Sequence, residues 1–354
     1  MIRDLTKGKP VKLIISFCLP IMLGQIFQQF YNMVDSIIVG RFAGTAELSA
    51  VGSTGSLNFL VIGFVSGFTT GLSIPLSRAF GEGNHKKVRQ LYINTIYLTA
   101  LATAVLTAAT YFLTPGVLRV MNTPEEIFSM AYDYIGTVFK GLAAILFYNL
   151  FACVMRALGD SKTPLLLLVF SSLLNIVLDL FFVIKLKMAC KGVAIATVTA
   201  QMVSAALAFV IILKRYDILR LTREDLKPQP ALCGSLLYNG LPMALQLSVT
   251  ATGAVMLQSA VNTLGEIAIA AVTVASKIQL FLVMPAESVG LTMATYCGQN
   301  LGAAKLDRIR EGIIKALLIS EAYNIIMMAV AYFFAGDLAT LFVPGDQTEV
   351  ISLV

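Results

Sequence analysis

About nine stretches of this chain run for twenty residues or more with almost no charge, at 12–39, 48–77, 90–113, 128–153, 164–184, 189–213, 232–263, 267–297 and 307–335. A run of about 20 apolar residues is what an α-helix needs to cross the hydrocarbon of a bilayer. In hydrocarbon the backbone must satisfy its own hydrogen bonds, so only helices and closed barrels span it. Barrel strands alternate polar and apolar every second residue, and these runs are continuously apolar, which leaves helices. The expected fold is therefore all-α and polytopic. Composition agrees: 57% of residues are hydrophobic and 13% charged, against about 45–50% apolar in soluble domains.

The 26 Lys and Arg residues outnumber the 20 acids, and their placement says why. They crowd the amino-terminal arm (Arg3, Lys7, Lys9, Lys12) and every second loop thereafter, including 78–89, 156–162, 214–227 and 305–310. The intervening loops hold only Arg41, Arg119, Lys185, Lys187 and Lys191. By the positive-inside rule the amino terminus is expected in the cytoplasm of a cell-membrane protein. The basic excess then reports orientation, and no nucleic-acid partner is expected. The first run is too long for a removable signal and is expected to stay as a span. The five cysteines show no C-x-x-C spacing and the single histidine, His85, lies in a basic loop, so neither a metal site nor a cofactor is expected.

The linker 214–230 divides the chain, and the second part repeats the pattern of the first. Pro20 and Pro242 open corresponding runs 222 residues apart. Phe80-Gly81-Glu82-Gly83 and Leu301-Gly302-Ala303-Ala304 come after the second run of each half at an offset of 221, and 118–124 matches 339–345 at the same spacing. Three matches at one offset indicate a duplicated six-helix unit. An even number of helices gives both copies the same orientation, related by an axis along the membrane normal. The expected division is an amino-terminal six-helix lobe at 1–231 and a partial carboxy-terminal lobe at 232–354. A second copy of equal length would run about 90 residues further, three helices at the usual length, so the second lobe is expected to be incomplete.

Ionisable groups inside spans are costly and mark ion or substrate paths by default. Asp35 lies roughly 8 Å, and Asp179 roughly 9 Å, short of the same end of their spans, by the 1.5 Å rise per residue. Two acids at one height that met would share a proton or bind a small cation, H⁺ or Na⁺. Gln28, Tyr31 and Asp35 have three- and four-residue spacing, as do Asn175 and Asp179, so each set forms a polar stripe on one helix face. Lys140, Lys277, Glu287 and Glu321 also fall within spans; Lys140 and Glu287, well inside, are candidate substrate contacts.

At these residues the chain resembles the multidrug and toxic compound extrusion (MATE) antiporters. The resemblance rests on Pro20, the stretch Val34-Asp35-Ser36-Ile37-Ile38-Val39-Gly40, the Gly-containing basic loops, Arg156-Ala157-Leu158-Gly159-Asp160 and Gly298-Gln299-Asn300-Leu301-Gly302. It implies two six-helix lobes around a central cavity, exporting small amphipathic cations in exchange for H⁺ or Na⁺. It also implies a cation site at Asp35, Asn175, Asp179 and Thr197, with Gln28, Tyr31 and Tyr134 nearby. One branch of the family carries a helix-seven glutamate where this chain has Thr250, and Leu257 stands opposite Asp35 in the repeat, so no matching acid site is expected in the second lobe.

The expectation is an ion-coupled antiporter, working as a monomer in the lipid bilayer and not as an enzyme. A lipid-linked oligosaccharide flippase shares the architecture but wants a more cationic cavity than Lys140 and Lys277 provide. A membrane-embedded enzyme wants clustered His, Cys or acids, and a transporter fragment without activity is the remaining alternative. No Gly-x-x-x-x-Gly-Lys loop is present for direct ATP coupling.

Overall fold

The computed structural model describes residues 2–261, 266–340 and 348–353; the repeat match at 341–345 lies outside them. All its regular elements are helical. In order they are α1 (Pro10–Ile38), α2 (Thr45–Ser53), α3 (Gly55–Gly81), α4 (His85–Val120), α5 (Glu125–Lys140), α6 (Leu142–Ala157), α7 (Lys162–Leu180), α8 (Ala189–Arg215), α9 (Pro230–Val261), α10 (Glu266–Gly302), α11 (Leu306–Ala339) and α12 (Thr348–Leu353). Among the described residues seven helices are long and apolar enough to cross a membrane, or eight if α5 and α6 form one bent span. The ninth expected crossing coincides with α9, 32 residues long.

Two expected spans are broken. The run 48–77 divides at Thr54 into α2 and α3, and the run 128–153 bends by 47° between α5 and α6. Gly141 at that bend lets α8 approach, since a side chain there would collide with Val198. Prolines lie inside α1, α3, α4, α9 and α10 (Pro20, Pro75, Pro115, Pro242, Pro285), each removing one backbone bond.

Helices α3, α4, α6 and α8 pack around a core of Leu72, Leu76, Leu91, Leu150, Val154 and Ala208. The second half attaches by crossed pairs: α3 lies along α9, and α1 along α10. A two-fold operation exchanging the repeats generates this exchange of partners. Hydrophobicity does not drive helices together in lipid, so small residues that allow backbone approach do. Gly67 and Gly71, one turn apart on α3, meet the backbone at Met243–Ala244 and Asn239–Gly240 of α9; a methyl at either glycine would collide with the Met243 or Asn239 carbonyl.

The halves meet again at the end of the bundle that carries the basic loops, where Gly302 abuts the Arg78 carbonyl. There the amino-terminal arm straps the halves together. The buried Gln299 of α10 accepts from the Leu5 N–H at 2.9 Å and donates to the Ala157 carbonyl at 2.9 Å. Asn300 donates to the Leu5 carbonyl, Lys305 to the Thr6 carbonyl and Arg308 to the Gly8 carbonyl. Leu5, Leu13, Phe17 and Ile21 bury apolar surface against Tyr296 and Ala316 beneath the strap. Toward the opposite face Phe59 and Leu60 of α3 and Val249, Met256 and Leu257 of α9 are exposed.

Candidate ion and substrate site

Asp35 and Asp179 lie within hydrogen-bond reach of each other. They sit where two neighbouring helices change pitch in the same way: α1 continues as a π-helical turn, Val39–Ala43, and α7 as another, Phe181–Lys185. The two turns pack together, and π-bulges of this kind recur at functional sites. Each aspartate thus lies within one turn of a widened stretch of backbone.

The surroundings divide the pair. Asp179 is wholly buried and Asp35 partly exposed. The amide of Asn175, one turn before Asp179 and itself buried, is assigned from its neighbours: with Nδ2 toward Asp35 Oδ1 it donates there at 3.1 Å while Oδ1 accepts from the Thr197 N–H at 3.3 Å. No comparable donor serves Asp179: apart from the Asp35 carboxyl, neither of its oxygens has a partner among the described residues. An unsatisfied buried oxygen costs about 1–3 kcal/mol and more if charged, so this arrangement fits a shared proton or a small cation. Tyr31 of α1 and Tyr134 of α5 stand close enough to interact electrostatically with both carboxyls, and Gln28 adjoins Tyr31.

One turn toward the opposite face, Ile38, Val39, Val183 and Val193 form an apolar cluster with Val34 and Tyr134. On the other side of the pair a small cavity of about 10 Å³ is lined by Tyr31, Ser171, Ser172, Asn175, Thr197 and Gln201. That is close to the room one water needs, and the lining is polar enough to hold it. The Gln201 side-chain oxygen is buried and without a partner. Asp179, Asn175 and Ser172 therefore make a polar trail along α7, with an apolar stopper at one end.

The structure brings together Asp35, Asp179, Asn175, Thr197, Tyr31 and Tyr134, with Gln28 at the edge. It does not bring Lys140 or Glu287 to them. Glu287 is exposed on α10 and makes no bond to either aspartate; its neighbour Ser288 instead donates to Gln25 of α1 at 2.6 Å. Lys140 ends α5 on the side of a different cavity. Thr250 donates to the Gln246 carbonyl in its own helix, and Leu257 is exposed. Among the described residues no group of three His, Cys, Asp or Glu could hold a metal. Ser171, Ser172 and Gln201 were not singled out from the sequence, and Gln299 appeared there only within the Gly298–Gly302 motif. Ser171 and Ser172 continue the spacing that led to Asn175 on α7, and Gln201 lies one turn beyond Thr197 on α8.

The sequence profile of the MatE family matches residues 20–181 and 242–354, most of the chain, in two blocks that begin at the two prolines registering the repeat. The chain belongs to the MATE family of transporters. This MATE protein is 27% identical over 343 residues to YoeA of Bacillus subtilis, described as a probable multidrug resistance protein, covering 95% of this chain and 74% of that one. YpnP of the same organism, described likewise, is 29% identical over 312 residues, covering 86% and 68%. An FAD transporter of Shewanella oneidensis is 19% identical over 340 residues, covering 95% and 75%. A solved outward-facing multidrug resistance MATE transporter superposes with a TM-score of 0.91 at 24% identity, covering 99% of this chain and 78% of that one. The fold is therefore that of MATE transporters, and the chain is a multi-pass membrane transporter rather than an enzyme.

Proposed function

We propose that this chain is an ion-coupled exporter of small amphipathic cations, in which H⁺ or Na⁺ bound at Asp35 and Asp179 drives release. The observation that carries the reading is the buried Asp179, whose two oxygens have no partner but a second carboxyl. A pair left so has two stable conditions, one holding the ion and one not. Alternating access requires that the coupling ion and the substrate favour different arrangements of the two halves.

Asp35 is the entry side of the pair because it is partly exposed, and Asp179 lies behind it. A cation arriving from the cleft meets Asp35 first and then displaces the Asn175 amide bond or adds a proton between the carboxyls. Either event changes the packing of α1 on α7 at the paired π-helical turns, which are the widened and least regular part of both helices. With the basic loops taken as cytoplasmic, the strap is the element that would seal the cytoplasmic end when the site faces outward. Substrate class is inferred from the relatives named for multidrug resistance and from the apolar walls of the cleft. The working unit is proposed to be a monomer in the cell membrane.

The test is efflux of a fluorescent cation such as ethidium from sealed vesicles, driven by an imposed proton gradient or, at fixed pH, by a Na⁺ gradient. Asp35→Asn and Asp179→Asn are each expected to lower ion-driven export to that of empty vesicles while leaving the protein folded and monodisperse. Undiminished ion-driven export by Asp179→Asn would remove the pair from the mechanism. The gradient that drives the wild type names the ion.

A further inference from the structure

A cavity of about 630 Å³ lies apart from the carboxylate site. It lies in the seam between α4 and α5, with the start of α8 at one end. That volume is in the range of small-molecule sites, about 300–1,000 Å³. One wall is a ladder of threonines on α4, including Thr103, Thr107 and Thr110; the facing wall on α5 carries Asp133 and Lys140, and Lys191 of α8 stands near its mouth.

The charges are unbalanced. Asp133 faces Lys191 at 3.9 Å, which leaves Lys140 two turns away along α5 with no ion pair or hydrogen bond among the described residues. Lys140 completes the carboxyl end of α5 and gains from the field of that helix, but no anion meets its ammonium. Its side chain is exposed on α5, roughly 22 Å along the helix from Glu125. The seam is also peripheral. Val105, Phe112 and Leu113 on α4 are exposed, and the two halves of the chain meet chiefly through α1, α3, α9 and α10 on the other side.

We infer that this seam is a binding site for an anionic amphiphile, whose single carboxylate or phosphate pairs with Lys140 and whose apolar body lies along α4 and α5. The threonine hydroxyls supply hydrogen bonds beside the head group; those of Thr103 and Thr110 currently turn to their own helix carbonyls. Helix α5 is the common wall of both sites: Tyr134 faces the aspartates, while Asp133, Gly136, Thr137 and Lys140 face the seam. Lys140 and the cavity define this site by themselves, whether or not Asp35 couples an ion.

The test uses the purified protein in phosphatidylcholine nanodiscs and the fluorescent carboxylate 11-(dansylamino)undecanoate. Saturable binding is expected, weakened about tenfold or more in Lys140→Gln, the order expected on removing a charge-assisted hydrogen bond. Lys140→Arg is expected to retain it and Asp35→Asn to leave it unchanged. The methyl ester of the probe is expected to bind the wild type no better than the carboxylate binds Lys140→Gln. Displacement by phosphatidylglycerol introduced into the discs would assign the site to the bilayer's own acidic lipid, and failure to displace to a free amphiphilic acid. Equal affinity of a folded Lys140→Gln protein for the carboxylate, or equal binding of ester and carboxylate, overturns the inference.

Discussion

Gln299 ties the amino-terminal arm to the helix that carries it and to the end of α6, and its removal has a calculable consequence. In Gln299→Ala the Leu5 N–H and the Ala157 carbonyl, both on residues at or below 1% exposure, lose their partners at 2.9 Å. An unsatisfied buried group costs about 1–3 kcal/mol, so the two together cost about 2–6 kcal/mol in the strapped state. When the arm lifts, water reaches both groups and the cost disappears. The substitution therefore falls on one side of the equilibrium, and the strapped population relative to the lifted one is expected to drop by about 30-fold at the least, taking 1.36 kcal/mol per factor of ten. The readout is a single cysteine at Thr6, 6% exposed, in a protein whose five native cysteines are replaced by alanine or serine. Its labelling by a membrane-impermeant maleimide is expected to accelerate by a similar factor in Gln299→Ala. An unchanged labelling rate would show that the arm is held by Asn300, Lys305 and Arg308 without Gln299, and that the reasoning about the buried pair is wrong.

Two further outcomes are expected from packing and hydrogen bonding near the same face. Gly71→Ala, which drives a methyl into the Asn239 carbonyl, is expected to cost about 1–3 kcal/mol through overpacking and to raise labelling at the same Thr6→Cys site; Gly116→Ala, with nothing near its added methyl, is the control and should do neither. Asp225 accepts hydrogen bonds from Arg89 Nε at 2.8 Å and from the Thr222 N–H and hydroxyl. Burial works against its charge, but these bonds outweigh it and hold the carboxyl below its ordinary value of 3.8. A lowered folded-state value contributes stability that is present above the ordinary value and lost as pH falls through the folded one. Thermal melts are thus expected to show Asp225→Asn less stable than wild type by about 1.5–3 kcal/mol near neutrality, with the gap closing below pH 3.8; a gap that persists at low pH would refute the assignment.

Much of the architecture was written along the chain. Hydropathy alone places the helices that cross the membrane, because a span must be long, apolar and internally hydrogen-bonded whatever surrounds it. The offset between Pro20 and Pro242 gave the repeat, and the crossed pairing of α3 with α9 and α1 with α10 is its consequence in space. Asp35 and Asp179 stood out because charge in an apolar run is costly wherever the run ends up. Their equal heights came from counting residues.

Which polar groups meet could not be counted. Lys140 and Tyr134 are six residues apart on α5, yet one faces an unpaired seam against α4 and the other the carboxylates, and Glu287 joins neither. The cause is physical: lipid tails and protein interior are equally apolar, so hydropathy carries no signal for the rotation of a helix about its own axis. That rotation is decided by close contacts between small residues, Gly67 and Gly71 against α9 and Gly141 against Val198, and by hydrogen bonds such as those of Gln299 that join residues almost three hundred positions apart. The sequence by itself determined that the chain is an all-helical, many-span membrane protein and where charge is trapped; only the tertiary structure decided what the trapped charges face.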